Sequence, residues 1–393
     1  MTPEIHHGDM RAVLDFIPDS TFHACITDPP YHLTSTVKRF GADGAAPAKP
    51  GVYGRSSAGF MGKKWDGGDI SFRPETWAEV LRVLKPGAYL LCFGGTRTWH
   101  RIACAIEDAG FDIRDTIMWL YAKGFPKSHD VARGIDKHLG VRGVLGEPRS
   151  AAHAEWIARG ALRGDQGAEG WQRPWMDDPE QVAANARRYI AGSPQAAPWQ
   201  GWGSALKPAW EPIIVARRPL VGTIAENVLA HGCGGFNIDA CRIGEHGRWP
   251  ANVAHDGSDE VEAAFAAFGE KRSGTGARKA ASGAGYAPNA LGSESRPAGT
   301  PNVEYGDVGS ASRFFFSGKA TAADRAGSKH PTVKPVALMR WLVRMVTPPG
   351  GLVLDPFAGS GTTGAAARAE GASCVLVEAD DEYAADLRRR FAA

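Results

Sequence analysis

The chain has 393 residues, of which 43% are hydrophobic and 22% charged, and its net charge is +2. This is enough apolar material for a sizeable core, and it excludes both a disordered chain and a polycationic coat for nucleic acid. The sequence contains no run of 18 apolar residues, and its opening MTPEIHHGDM lacks the pattern of a signal peptide, so a cytoplasmic protein is expected.

Residues 1–125 read as alternating strands and helices. HACIT (23–27) has the character of a short strand. FRPETWAEVLRVLKPG (72–87) places Trp77, Val80, Leu81 and Leu84 at helical spacing, with Pro86-Gly87 as a stop. AYLLCFGG (88–95) is a buried strand, WHRIACAIEDAGF (99–111) a helix and IRDTIMWLYA (113–122) a strand. Strand–helix–strand spacing of this kind predicts a parallel sheet with crossover helices.

From about residue 126 the character changes. Residues 140–205 are rich in Gly, Arg, Pro and Trp, with a helix expected near Glu180 to Ile190. EPIIVARRP (211–219) reads as a core strand. Residues 220–312 are loop-rich, and the Gly/Ala/Ser tract Gly269–Gly309 is expected to be mobile in part. Regular patterning returns with a helix (336–347), a strand (352–356), a helix (361–370), a strand (373–379) and a helix (381–391).

The six cysteines (Cys25, Cys92, Cys104, Cys233, Cys241 and Cys374) form no CxxC pair, and most lie in apolar runs. Reduced core thiols are therefore expected. His231, Cys233 and Cys241 resemble a metal cluster only loosely, and no metal is expected. Basic residues do gather locally. From Arg313 to Arg344 there are seven Lys/Arg against the single acid Asp324, and Lys271, Arg272, Arg278 and Lys279 form a second knot. Each knot is either a solvated surface or a set of phosphate contacts.

Two short stretches carry chemistry. LVLDPFAGSGTTG (352–364) reads strand, glycine-rich turn, helix, and Gly359, Gly361 and Gly364 match GxGxxG. Glu378 follows 19 residues after Gly359 at the tip of the next strand. Glycines permit a tight turn, a helix N-terminus faces an anion, and the acid can hold ribose hydroxyls. A dinucleotide enzyme usually begins with this unit, yet only 29 residues follow Gly364. The sheet must therefore be completed by N-terminal strands, and S-adenosylmethionine fits this arrangement better than NAD or FAD. The second stretch is TDPPY (27–31), where an apolar strand runs into two prolines that cannot continue a ladder.

TDPPY early and DPFAGSGTT late resemble the amino-group DNA methyltransferases, in the permuted motif order of the β class. IHHGD (5–9), GFMGKKWD (59–66), WGSALKPAWEPIIVARRP (202–219), GGFNIDACRI (234–243) and SKHPTVKP (328–335) resemble further stretches of bacterial and phage-type members. The resemblance covers roughly residues 1–135, 200–250 and 310–393. It implies a Rossmann-like α/β methyltransferase sheet with circularly permuted motifs and an irregular target-recognition region. The expected division is a catalytic half (1–125), a target-recognition region carrying a core strand near 211–219 (126–330), and a cofactor-binding half (331–393).

What the resemblance implies for residues is specific. Asp9 faces the cofactor adenine, and His330, Thr332 and Lys334 close over its methionine end. Asp355, Phe357, Ala358, Gly359, Ser360, Gly361, Thr362 and Thr363 form the cofactor loop, with Glu378 and Ala379 at the ribose. The catalytic motif is Asp28, Pro29, Pro30 and Tyr31. An exocyclic amine is a poor nucleophile because its lone pair is shared with the ring. Acceptors at both of its hydrogens, the Asp28 carboxylate and the Pro29 carbonyl, would draw the nitrogen toward tetrahedral geometry. Tyr31 can stack on the base, worth ~1–3 kcal/mol. The nucleotide must be flipped out of the duplex to reach them.

His32 is an alternative base that the family pattern does not require. Lys64 and Trp65 are candidates for covering the flipped base, with packing as the other reading of Trp65, and Lys123, Lys127, Arg313 and Lys319 are candidate phosphate contacts. Asp28 in place of Ser favours N6 of adenine by resemblance, with N4 of cytosine as the alternative. A nicotinamide oxidoreductase and a DNA-binding protein that has lost catalysis are rivals of other classes. The expected partner is double-stranded DNA. A homodimer is compatible with the family, and a restriction endonuclease would be a separate protein.

Overall fold

The structure is a computed structural model, and it describes residues 2–31, 69–122, 128–158, 186–272, 307–318, 321–328, 330 and 332–392. In chain order the elements are β1 (Glu4–His7), α1 (Met10–Leu14), β2 (Phe22–Thr27), α2 (Pro74–Val83), β3 (Leu84–Phe93), α3 (Trp99–Asp108) and β4 (Asp112–Leu120). The middle of the chain adds α4 (Val131–His138), β5 (Val144–Pro148), α5 (Ala151–Ala158), β6 (Arg187–Ile190), β7 (Trp210–Arg217), α6 (Ile224–His231), β8 (Val253–His255), α7 (Asp259–Ala266), β9 (Lys271–Arg272), β10 (Val308–Gly309) and β11 (Phe316–Ser317). The C-terminal part is α8 (Val336–Val346), β12 (Leu352–Asp355), α9 (Thr362–Ala369), β13 (Ser373–Glu378) and α10 (Asp381–Phe391).

Nine strands form one sheet in the order β1-β13-β12-β2-β3-β7-β4-β8-β11. All neighbours run parallel except β7, which is antiparallel to both β3 and β4. Side chains alternate between two apolar layers, as a strand period of two requires. Ala24, Ile26, Leu91, Phe93, Ile213, Val215 and Val353 face the layer of α8 and α9. Phe22, Cys25, Leu90, Cys92, Ile214, Ala216 and Leu354 face the layer of α1, α2 and α3. Cys233 and Cys241 belong to these opposite layers.

The helix expected over 72–87 is shorter than its periodicity suggested. It ends at Val83, and Leu84 is already extended (φ −74°, ψ 147°). Pro86 disfavours the α conformation for Lys85, so the chain enters β3 directly. Gly87, at φ +77°, is fixed by α6: a Cβ there would lie 2.3 Å from Asn227 Nδ2. That buried amide donates to the Pro86 and Cys233 carbonyls at 2.9 and 2.8 Å.

The helix expected near Glu180 to Ile190 lies mostly outside the described residues; of its described part Ala186 is helical, and Arg187–Ile190 is a strand paired antiparallel with β5. Buried Asp136 holds this strand. It accepts from the Tyr189 hydroxyl at 2.8 Å, the Gly192 amide at 2.7 Å and the Ser193 hydroxyl at 2.5 Å. Over Arg187–Ile190, long-range pairing and a buried carboxylate thus set the backbone rather than the local preference. The region 220–312 also carries more order than its composition suggests. In α6 a capping box of Thr223 and Glu226 starts the helix and Gly232 (φ +70°) ends it. Most of the tract Gly269–Gly309 lies outside the described residues.

Two consequences of the topology position the site. From β2 the chain crosses rightwards to β3, and from β12 it crosses the other way to β13. The sheet therefore changes direction between β12 and β2, and in open α/β sheets ligands bind in the crevice outside the carboxyl ends at such a point. That adjacency joins the C-terminal part of the chain to its N-terminal part, with Val353 opposite Ala24 and Leu354 opposite Cys25.

Candidate active site

The loops that leave β2 and β12 are stitched together. Asp355, at the end of β12, accepts from Thr27 Oγ1 at 2.7 Å on one carboxylate oxygen and from Thr363 Oγ1 at 2.6 Å on the other. The Phe357 amide donates to it at 3.1 Å. Burial pushes the Asp355 carboxyl up to about 6, although these donors favour its charged form. A carboxyl raised in the folded state stabilises the fold most at low pH, and that contribution is lost as pH rises through about 6. The rise from the ordinary 3.8 to about 6 is worth on the order of 3 kcal/mol. Thermal unfolding of wild type and Asp355→Asn across pH 4–7.5 checks this. The wild type's stability relative to the variant is expected to fall between pH 4 and 6 and to level off above 7, because the acceptors lost in Asn give an offset independent of pH. A flat difference across the range would refute it.

The glycine turn follows. Gly359 (φ +51°) and Gly361 (φ +78°) are left-handed, and a Cβ on Gly361 would lie 2.5 Å from Leu387 Cδ2 and 3.0 Å from the Phe391 ring. Gly361→Ala is expected to destabilise the protein by roughly 2–5 kcal/mol, from backbone strain and overpacking together. Urea denaturation measures this, and a change below 1 kcal/mol (about the accuracy of such a measurement) would mean that α10 yields freely.

Glu378, at the end of β13, accepts from the Gly359 amide at 2.7 Å and from the Asp380 amide at 2.8 Å. Burial raises its pKa, against these two bonds. The His330 ring sits over Gly359, 3.1 Å from the place of a Cβ there, and edge-on to Tyr383 with centroids 4.5 Å apart. Asp9 caps α1, accepting from the Arg11 amide at 2.9 Å, and pairs with the Arg11 guanidinium.

Across the crevice, the corner of TDPPY is held by its neighbours. The Pro30 carbonyl accepts from Ser71 Oγ at 2.6 Å and the Tyr31 carbonyl from Thr98 Oγ1 at 2.9 Å. Among the described residues no hydrogen bond falls on the Pro29 carbonyl, and Pro29 lines the cavity. Asp28 accepts from the Tyr31 hydroxyl at 2.5 Å on one oxygen and from Lys334 Nζ at 2.6 Å on the other. Burial, and then Asp28 and Glu211, push the Tyr31 phenol well above its ordinary range. Gly95 lets the chain approach the Tyr31 ring, because a Cβ there would lie 3.0 Å from Cδ2.

One cavity of about 770 Å³ takes in both loops. Its walls include Asp9, Asp28, Pro29, Pro30, Tyr31, His330, Thr332 and Lys334, and also Asp355, Phe357, Ala358, Gly359, Ser360, Thr362, Thr363, Glu378 and Ala379. Gly361 stands behind the wall against α10. Lys334, expected over the cofactor's methionine end, points its ammonium at Asp28 and lies 3.3 Å from Glu211. Glu211 and Tyr121 also line the cavity, and neither was assigned a role from sequence. Glu211 stood within the quoted stretch WGSALKPAWEPIIVARRP. An acid at the head of an apolar core strand was the available signal. Burial raises Tyr121 to about 12, helped by Glu211.

The nucleic-acid candidates fare differently. Lys64, Trp65, Lys123, Lys127 and Lys319, with His32, lie outside the described residues. Arg313 is engaged by the fold. Its guanidinium meets Asp307 at 2.7 Å, accepts none of its bonds, and donates to the Gly309, Ser310 and Lys271 carbonyls while lying over the Phe314 ring. A guanidinium already surrounded by acceptors has few donors left for a phosphate.

The family model of a DNA methylase matches residues 22–139 and 299–389, together more than half of the chain. The chain belongs to this N6/N4 DNA methylase family, whose methyl donor is S-adenosylmethionine. It is 22% identical over 384 residues to the type II methyltransferase M.HindIII of Haemophilus influenzae, covering 93% of this chain and 87% of that one. A shorter stretch of 54 residues, 14% of this chain and 18% of the relative, is 50% identical to the DNA adenine methyltransferase YhdJ of Escherichia coli. Among solved structures, the cytosine-N4-specific PvuII DNA methyltransferase overlaps with a TM-score of 0.41 at 14% identity, covering 100% of this chain and 86% of that one. An overlap that loose carries no argument of its own. No helix among the described residues is long and apolar enough to cross a membrane.

The residues present fit the family's methyl donor. The cavity is of the size that takes a nucleoside-bearing ligand. Left-handed Gly359 keeps the turn free of side chain beneath His330. Each Glu378 oxygen accepts one amide and so retains a lone pair for a ribose hydroxyl.

Proposed function

We propose that the protein is a site-specific DNA methyltransferase that methylates N6 of adenine in duplex DNA after flipping the base into the cavity. The observation that carries this reading is the adjacency of β2 and β12, which opens Asp28-Pro29 and the glycine turn onto one cavity. Bound there, S-adenosylmethionine would supply an electrophilic methyl group. Gly359 and its neighbours in the turn, with Glu378, would hold the cofactor, and His330 would cover the turn. Asp28 and the Pro29 carbonyl would accept the two amine hydrogens and localise the lone pair on nitrogen. Tyr31, fixed by Asp28, Thr98 and Gly95, would support the base. Positioning and charge do the work, and no covalent enzyme intermediate is needed.

Adenine is favoured by the aspartate at position 28 and by the similarity to a relative named as an adenine methyltransferase. Residues 126–330 would read the target, with DNA as partner. A separate endonuclease and a homodimer remain part of this reading. The test is incubation with methyl-labelled S-adenosylmethionine and mixed-sequence duplex DNA, followed by nucleoside mass spectrometry. Label in N6-methyladenine is expected. Label in N4-methylcytosine would overturn the base assignment and keep the reaction, and label in RNA or protein alone would overturn the substrate class.

A further inference from the structure

Lys334 is the most enclosed cation of the cavity. Its side chain is 5% exposed, and its ammonium lies 2.6 Å from Asp28, 3.3 Å from Glu211 and 4.9 Å from the centre of the Phe93 ring. Glu211 comes from the antiparallel strand β7, wedged between β3 and β4, and its carboxylate is 19% exposed. Nothing in the amine-polarising role of Asp28 calls for a second acid.

The charges suggest why one is present. Asp28 and Lys334 alone would make a neutral pair, and the lysine would draw electron density from the carboxylate that must accept from the amine. Adding Glu211 gives two carboxylates around one ammonium, a net charge of −1 in a site shielded from water. The reaction carries one positive charge throughout. The nitrogen lone pair forms the new N–C bond as the methyl–sulfur bond breaks, with that electron pair staying on sulfur. The positive charge is then on nitrogen, until a proton leaves for the Asp28 carboxylate and from there for water. A cluster of net charge −1 in the cavity wall favours this cation before and after transfer, and it favours the neutral thioether product less.

We propose that Glu211 is a positioning residue that balances Lys334, so that the cluster around Asp28 keeps a net negative charge for the cationic methyl donor and for the cation that forms on the base nitrogen. The proposal rests on the reading above. It goes further in assigning Glu211 a role in discriminating the charged cofactor from its neutral product, which helps the spent cofactor to leave.

The test is calorimetric binding of three ligands: S-adenosylmethionine, sinefungin (which carries an ammonium near the place of the methylsulfonium) and neutral S-adenosylhomocysteine. In Glu211→Gln the two cationic ligands are expected to weaken about tenfold while S-adenosylhomocysteine changes less than threefold. Glu211→Asp, which keeps the charge, should keep the wild-type preference. The double variant Lys334→Met/Glu211→Gln returns the net charge to −1 with no unpaired cation, so it should recover that preference even if the single variant folds poorly. Equal weakening of all three ligands in Glu211→Gln, or loss of preference in the double variant, would overturn the proposal and leave the methyltransferase reading standing. Failure of the wild type to bind any of the three would overturn that reading, and this inference with it.

Discussion

Asp28→Ala is expected to lower kcat for methyl transfer by roughly 10²–10³, the usual cost of losing one preorganised polar contact to a reacting group. Cofactor affinity should change far less, because the glycine turn and Glu378 are untouched. Asp28→Asn should be nearly as poor as alanine, although it is the same size. Lys334 Nζ and the Tyr31 hydroxyl both donate into Asp28. An amide has only one acceptor oxygen, which the ammonium would claim, and its NH₂ would then meet the substrate amine donor to donor. Single-turnover rates with saturating cofactor separate this loss from binding. An asparagine variant that retains a tenth of wild-type activity would show that charge and double acceptance at position 28 are not what the reaction needs.

The motifs behind that prediction were legible because they are local. TDPPY and DPFAGSGTTG each combine a strand end, a turn and chemistry within a dozen residues, so backbone preference and function coincide there. Their opposite placement in the chain already required β12 to meet N-terminal strands, and it lies beside β2. Glu211 was not legible as a functional residue because its partners are distant in sequence. It reaches Lys334 only through the insertion of β7 between β3 and β4. The strand Arg187–Ile190 was hidden for the same kind of reason, since it depends on β5 and on Asp136. Arg313 illustrates the converse. Its basic neighbourhood suggested phosphate, and the acid that engages it, Asp307, lies just upstream of the basic run.

Lys334→Met is expected to destabilise the protein by about 3–5 kcal/mol, the cost of leaving a buried ion cluster without its counter-charge. Burial opposes the charge on Lys334, yet Asp28 and Glu211 together raise its pKa above the ordinary lysine value. In the folded protein, burial already raises the Glu211 carboxyl, with Lys334 working against that rise. Removing the ammonium leaves burial and Asp28 unopposed, so Glu211 should rise further above its unfolded value. A raised carboxyl stabilises the fold at low pH and loses that contribution as pH increases. The deficit of Lys334→Met should therefore be smaller at pH 5 than at pH 8. Adding Glu211→Gln should recover part of the deficit at pH 8, because one of the two clashing carboxylates is then neutral, and coupling of 0.5–3 kcal/mol is ordinary for groups in contact. Urea denaturation of Lys334→Met, Glu211→Gln and the double variant at both pH values measures all of these quantities. Additive losses that do not depend on pH would mean that the ammonium fills space between Phe93 and Tyr31 rather than balancing charge.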